Sequence, residues 1–184
     1  CGLFSYLVVK EEYRGRRLAN YLIDVAKETL DKDAQKQTAD QTKKINAIFL
    51  ETHHPPLSHF GPQYVDNVQE EPLDIWTKRM TFFGRLGFRV IDVPYLQPPL
   101  DIDKDPAYSL FLLVYHPDEN WPDLSPTTLF DFLVEFNNSL GNEGNVAKDY
   151  ATLLNEIQKK SSIHLIEVPT LIRSVTEGTM PAIM

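Results

Sequence analysis

Apolar positions along the chain alternate between short continuous runs and stripes spaced three and four residues apart, which is the mark of strands interleaved with amphipathic helices. The run Leu3-Phe4-Ser5-Tyr6-Leu7-Val8-Val9 is β-branched and aromatic, and predicts a strand buried on both faces at the centre of a sheet. Leu18, Tyr21, Leu22, Val25, Ala26 and Leu30 form a helical stripe that ends near Lys32, and the polar stretch Lys32 to Lys44 predicts a loop or frayed extension. Ile45 to Leu50 predicts a second buried strand, so the opening third reads as a βαβ unit with a right-handed crossover and parallel strands. Thr52 to Pro72 holds three histidines and four prolines and predicts a long irregular loop.

Pro72 then opens a helix with Trp76, Met80, Phe83 and Leu86 on its inward face and Gly87 as its stop. Phe88 to Val93 and Tyr108 to Tyr115 predict two strands, expected as antiparallel neighbours, on either side of the proline-rich crossing Pro94 to Pro106. Pro117, Pro122 and Pro126 mark a linker. Ser125 as N-cap and Pro126 at the first helical position start one helix, striped by Leu129, Phe130, Leu133 and Phe136 and ended at Gly141. Val146, Tyr150, Leu153, Leu154 and Ile157 stripe another, while Ile163 to Val168 fits a strand or a helix. The expected class is α/β with a mixed sheet and flanking helices: residues 1–116 form the strand-bearing part and 117–184 a helical extension. The apolar faces of that extension need cover, which suggests an oligomerisation or lid role.

Composition narrows the class of function. At 184 residues with 42% apolar and 24% charged positions the chain suits one soluble globular domain. Its net charge of −8 argues against a nucleic-acid backbone as partner, since that role needs surplus cations. Cys1 has no partner for a disulfide or a thiolate metal site, and no apolar run is long enough to span a membrane, so a cytoplasmic protein is expected, with no membrane partner and no metal. The start at Cys1, two residues before the apolar run, reads as a cut inside a larger protein.

The chemistry concentrates at the joint between the first strand and the first helix. Arg14, Arg16 and Arg17 crowd a helix N-terminus that is already positive, and Gly15 supplies a tight turn beside exposed N–H groups. That arrangement suits a phosphate or pyrophosphate; a solvated basic turn is the plainer alternative. The stretch Val9-Lys10-Glu11-Glu12-Tyr13-Arg14-Gly15-Arg16-Arg17-Leu18-Ala19 resembles the acyl-CoA signature of the GNAT superfamily of N-acetyltransferases: Arg or Gln, two residues, Gly, one residue, then Gly or Ala. Arg14 and Ala19 fit the ends, and Arg17 stands where the inner glycine is expected. Phe82-Phe83-Gly84-Arg85-Leu86-Gly87-Phe88 resembles the family's Phe-Tyr-x-x-Leu-Gly-Phe helix end, and Val93 to Leu100 resembles a Pro-Tyr-x-Gln-Pro stretch of a bacterial branch. The resemblance spans roughly Leu3 to Tyr115.

The resemblance implies attack by a primary amine on the thioester of acetyl-CoA. Leu7, Val8 and Val9 would hold the pantetheine arm and polarise the acetyl carbonyl, and Arg14, Gly15, Arg16, Arg17, Leu18 and Ala19 would hold the pyrophosphate. It also implies strands and helices preceding the phosphate turn that this chain does not carry. The family's frequent general acid is the tyrosine of the Phe-Tyr pair, and Phe83 has no proton to give. Glu51 becomes the expected base, acting directly or through water, with Tyr95 as replacement acid. His53 and His54 titrate near neutral pH. The trio His53, His54 and His59 does not converge easily on a metal, because neighbours on an extended chain point to opposite sides. Asp66, Glu70, Glu71 and Asp74 are a solvated face or, beside a cleft, an attraction for a cationic amine. A module that binds acyl-CoA or a protein partner without turnover is the rival reading, motivated by Arg17 and Phe83.

Overall fold

The computed structural model describes residues 1–5, 7, 9–13, 15–61, 70–99, 106–116, 121–142 and 147–184. Its elements run β1 (Gly2–Phe4), α1 (Leu18–Thr38), β2 (Ile48–His53), α2 (Leu73–Arg85), β3 (Arg89–Ile91), β4 (Leu110–Tyr115), β5 (Asp123–Leu124), α3 (Pro126–Ser139), α4 (Lys148–Gln158), β6 (Ile163–Glu167) and α5 (Val168–Thr176), with short 3₁₀ turns at Glu11–Tyr13 and Leu57–Phe60. The strands form a six-stranded mixed sheet in the order β1-β2-β4-β3-β6-β5. β1 and β2 are parallel, as a βαβ unit requires, and the pairs β2–β4, β3–β4, β3–β6 and β5–β6 are antiparallel.

Side-chain alternation along the strands divides the core into two layers. Ile48, Leu50, Val90, Phe111 and Leu113 face one side, where Trp76 and Met80 of α2, Leu171 and Val175 of α5, and the edge of α1 at Leu30 and Ala34 cover them. Phe49, Ile91, Leu112 and Val114 face the other, against Leu129, Phe132 and Leu133 of α3 and Tyr150, Leu154 and Ile157 of α4. Phe49 and Phe132 stack with ring centroids 3.8 Å apart. β4 is apolar at five consecutive positions because it is sandwiched between both layers, and Leu110 to Val114 are all buried.

Four expectations are revised. The Leu3 to Val9 run is not a central strand: among the described residues β1 is Gly2–Phe4, it lies at the sheet edge, and Leu7 and Val9 are only partly buried beyond its end. The first helix runs to Thr38 instead of stopping near Lys32, since Lys, Gln and Ala propagate a helix without any need for an apolar face. The second strand is Ile48–His53, so Glu51 and His53 lie within it. The region beyond residue 116 is not purely helical: Ile163–Glu167 is β6, antiparallel to β3, and α5 follows it directly. The apolar faces of α3 and α4 find their cover on the sheet itself.

At Gly84, α2 lies close against α5: a Cβ there would meet the Val168 Cβ at 3.0 Å. Gly87 ends α2 in the left-handed region at φ 85°, where a glycine is favoured. Among the described residues no helix is long and apolar enough to cross a membrane.

Candidate functional site

β1 and β2 are paired from Gly2↔Ile48 to Phe4↔Leu50, where β1 ends, while β2 continues to His53. The space outside the carboxyl ends of parallel strands is where open α/β sheets present their ligand sites. Glu51 is the first residue past that last parallel pair. It sits opposite Leu112 and, by alternation with Phe49, faces the α3/α4 layer. Tyr95, buried at 4% exposure, donates its phenolic O–H to Glu51 Oε1, and Gln97 Nε2 donates to Oε2 at 2.9 Å. The proline-rich crossing is fixed there by a two-way backbone bridge between Gln97 and Ala107, with N···O distances of 2.9 and 3.2 Å.

Burial pushes the Glu51 carboxyl above the usual carboxylate range, against the two hydrogen bonds, which favour the charged form. Burial raises the Tyr95 phenol well above its ordinary value, and the neighbouring Glu51 raises it further. The Tyr150 phenol is raised for the same two reasons, and it donates to the Leu133 carbonyl at 2.7 Å. At neutral pH this is one carboxyl group among neutral phenols, in apolar surroundings.

The start of α1 lies apart from that cluster in sequence and carries different chemistry. Gly15 has φ 77° and Arg17, the residue before the helix, has φ 58°. The Arg17 side chain makes no capping hydrogen bond, and the first turn of α1 contains no acidic residue. The helix therefore offers N–H donors beside the exposed Arg16 and Arg17, with Arg16 lying 5.6 Å over the Tyr13 ring. These groups fit a polyanion such as a pyrophosphate. A non-glycine residue in the left-handed region costs about 1 kcal/mol. Arg17→Gly is accordingly expected to stabilise the fold by roughly 0.5–1 kcal/mol, a rise of about 2–3 °C in a thermal melt; an unchanged or lower melting temperature would contradict the strain.

Of the residues singled out from the sequence, Glu51 and Tyr95 are brought into direct contact. Leu7, Val9, Gly15, Arg16, Arg17, Leu18 and Ala19 line the segment that leaves β1 and enters α1, whereas Val8 and Arg14 lie outside the described residues, as do Asp66 and Val146. Phe83 sits in an aromatic group, 5.7 Å from Phe82 and 6.1 Å from Phe88 between ring centroids. His53 is exposed at the end of β2 while His54 turns inward onto Phe111, ring centroids 4.3 Å apart. His59 Nε2–H instead donates to the Val175 carbonyl oxygen at 2.8 Å. Among the described residues, no group of three or more His, Cys, Asp or Glu side chains could hold a metal ion. Gln97 is the residue that sequence reasoning missed as a partner of Glu51; the Pro-Tyr-x-Gln-Pro spacing put it two residues after Tyr95, on the same side of an extended segment.

Burial lowers the His54 pKa from 6.5 to about 4. The unfolded chain takes up this proton near pH 6.5 and the folded one only near pH 4, so stability present above pH 6.5 is lost as the pH falls through that window. A displacement of that size corresponds to at most roughly 3 kcal/mol. His54→Phe, which keeps a ring on Phe111, is expected to flatten the decline in urea-unfolding free energy between pH 7 and pH 5; an unchanged slope would contradict the assignment.

The chain matches no family model, no curated protein and no solved structure.

Proposed function

We propose that the protein is an acyl-CoA-dependent N-acetyltransferase that moves an acetyl group from acetyl-CoA to a primary amine. The observation that carries this reading is the position of Glu51: a half-buried carboxyl with elevated basicity, held by Tyr95 and Gln97, one residue past the last parallel pair of β1 and β2. The resemblance of residues 9–19 and 82–88 to GNAT motifs supports it, as does a mixed sheet in which the strand before the basic turn lies parallel to the strand bearing Glu51.

In this reading the pyrophosphate lies against Gly15 to Ala19 and the pantetheine arm follows Leu7 to Val9 toward the gap between β1 and β2. The amine enters with a lone pair for the thioester carbonyl. As the C–N bond forms, Glu51 takes the surplus ammonium proton, and the C–S bond breaks to release CoA thiolate. Tyr95 acts here as a positioning residue: its proton is directed at Glu51, and its raised pKa makes it a reluctant acid. Thiolate departure then draws its proton from water or from the protonated Glu51.

The test is release of free CoA thiol from acetyl-CoA in the presence of a panel of primary amines. Amine-dependent release is expected for at least one class. Acetyl-CoA binding with no release from any amine would favour the rival module without turnover, which Phe83 in the place of the usual acid motivates.

A further inference from the structure

α1 carries two apolar faces, and the fold covers one of them. Ile23 is buried, and Leu30 and Ala34 pack into the layer over the sheet, Leu30 so closely that a Cβ on Gly2 would meet its Cδ1 at 2.5 Å. Lys27 reaches over β4, with Nζ 4.0 Å from the Tyr115 ring centroid. Leu18, Tyr21, Leu22 and Val25 lie between about 120° and 220° around the helix from Lys27, on the side turned away from β4. They are 38%, 66%, 43% and 41% exposed, and they make up four of the seven large apolar side chains exposed among the described residues. Scattered apolar residues on a surface are ordinary, whereas a continuous helical stripe of them marks an interaction face. The stripe that the sequence presents as one inward face, from Leu18 to Leu30, is thus divided between sheet and solvent.

The exposed stripe is its own complement. Reversal of the chain direction about the midpoint between Tyr21 and Leu22 carries Leu18 onto Val25 and Tyr21 onto Leu22. A second α1 running antiparallel therefore meets apolar with apolar at all four positions. The bordering charges follow the same rule. Arg17, Asp24 and Glu28 are exposed, and at 3.6 residues per turn they fall within about 40° of one another along one border of the stripe. A two-fold axis perpendicular to both helices keeps like borders together, so Arg17 of one copy comes level with position 26 of the other, between its Asp24 and Glu28. Within one chain these charges are poorly used. Neither Arg17 nor Glu28 has an ion-pair partner among the described residues, and Asp24 has only Lys27 at 3.7 Å. No acidic residue in the first turn offsets the positive end of the helix dipole. The acidic pair of a second copy supplies that charge.

We propose that the chain associates with a second copy of itself through α1, as a two-fold dimer with the helices antiparallel. Leu18, Tyr21, Leu22 and Val25 of each copy form the contact, and Arg17 pairs across it with Asp24 and Glu28. The interface is isologous, as a two-fold axis requires. A stripe of two helical turns is a small contact, so the association is weak, with Kd on the order of 10–100 μM. The helices after residue 116, whose apolar faces the sheet covers, take no part. Dimerisation is independent of acyl transfer, and its test contains no acetyl-CoA.

Sedimentation equilibrium of the 184-residue chain from about 5 to 500 μM is expected to show monomer and dimer in exchange, with Kd in that range. Leu22→Glu combined with Val25→Glu is expected to leave only monomer throughout. Arg17→Glu alone and Glu28→Arg alone are each expected to weaken the dimer about tenfold, and the two together to return it to within about threefold of the parent. That rescue is specific to pairing between copies, because on one helix the two residues are about 16 Å apart along the axis. All four positions are exposed in the single chain, and the charge reversals keep the test decisive even where the apolar pair does not fold. A parent that stays monomeric at about 500 μM would overturn the proposal and assign the stripe to a different polypeptide. Growth beyond dimer, a dimer undiminished in folded Leu22→Glu/Val25→Glu, or a double charge reversal no tighter than the single ones would overturn it as well.

Discussion

Replacing Glu51 by Gln is expected to lower kcat by about a hundredfold or more while leaving the affinity for acetyl-CoA within about twofold of the parent. The amide keeps the shape of the carboxyl group and continues to accept from Tyr95, but it cannot take a proton from the attacking amine. The pH profile supplies a second readout. Activity in the parent rises with pH as Glu51 ionises, and since burial holds its pKa above the usual carboxylate range, that rise lies at higher pH than an exposed glutamate would give. In the Gln variant the limb disappears from the residual rate. Unchanged kcat in the variant would remove Glu51 as the base. The same elevated pKa has a stability consequence of fixed sign: the folded chain holds this proton more tightly than the unfolded one, so the contribution present at low pH is lost as the pH rises through the folded value.

The second large effect concerns the region after residue 116. Leu133 of α3 is fully buried, packs in the same cluster as Phe49 of β2 and Leu112 of β4, and its carbonyl accepts from Tyr150. Leu133→Ala is expected to cost about 3 kcal/mol, within the range for a buried leucine that leaves a cavity behind. For a chain of this size that is a fall of roughly 6–12 °C in melting temperature, in a single cooperative transition. A shift below about 2 °C, or a separate early transition with the strand-bearing part unaffected, would show that α3 is an appendage. The pairing of β6 with β3 and the packing of Val168 against Gly84 argue for the cooperative result.

The elements legible in the sequence are those whose apolar pattern is dictated by burial on a known number of sides. Leu110 to Val114 reads as a strand buried on both faces, and Trp76 with Met80 reads as the inward face of α2, because in each case local periodicity and final environment agree. Leu3 to Val9 misleads for the opposite reason: its apolar run has the composition of a central strand, yet β1 is the three-residue strand Gly2–Phe4 at the sheet edge. β6 is ambiguous because its five residues alternate Ile163, Leu165 with His164, then run straight into the apolar start of α5, so strand and helix periods overlap.

For the candidate site, residue types carried the choice of Glu51 and Tyr95, but nothing local joins positions 44 residues apart. Their hydrogen bond depends on the antiparallel return of the chain through Gln97 and Ala107, which only the fold supplies.

The measurement that bears most directly on the central claim is a calorimetric titration of acetyl-CoA into the full-length protein, repeated with Arg14 and Arg16 both changed to Ala. Micromolar binding in the parent, weakened about tenfold or more in the double variant through lost charge-assisted contacts to the pyrophosphate, is the expected result. Absence of binding in the parent, or binding of equal strength in the folded double variant, would contradict the assignment of the β1–α1 turn as an acyl-CoA site and with it the acyl-transfer reading.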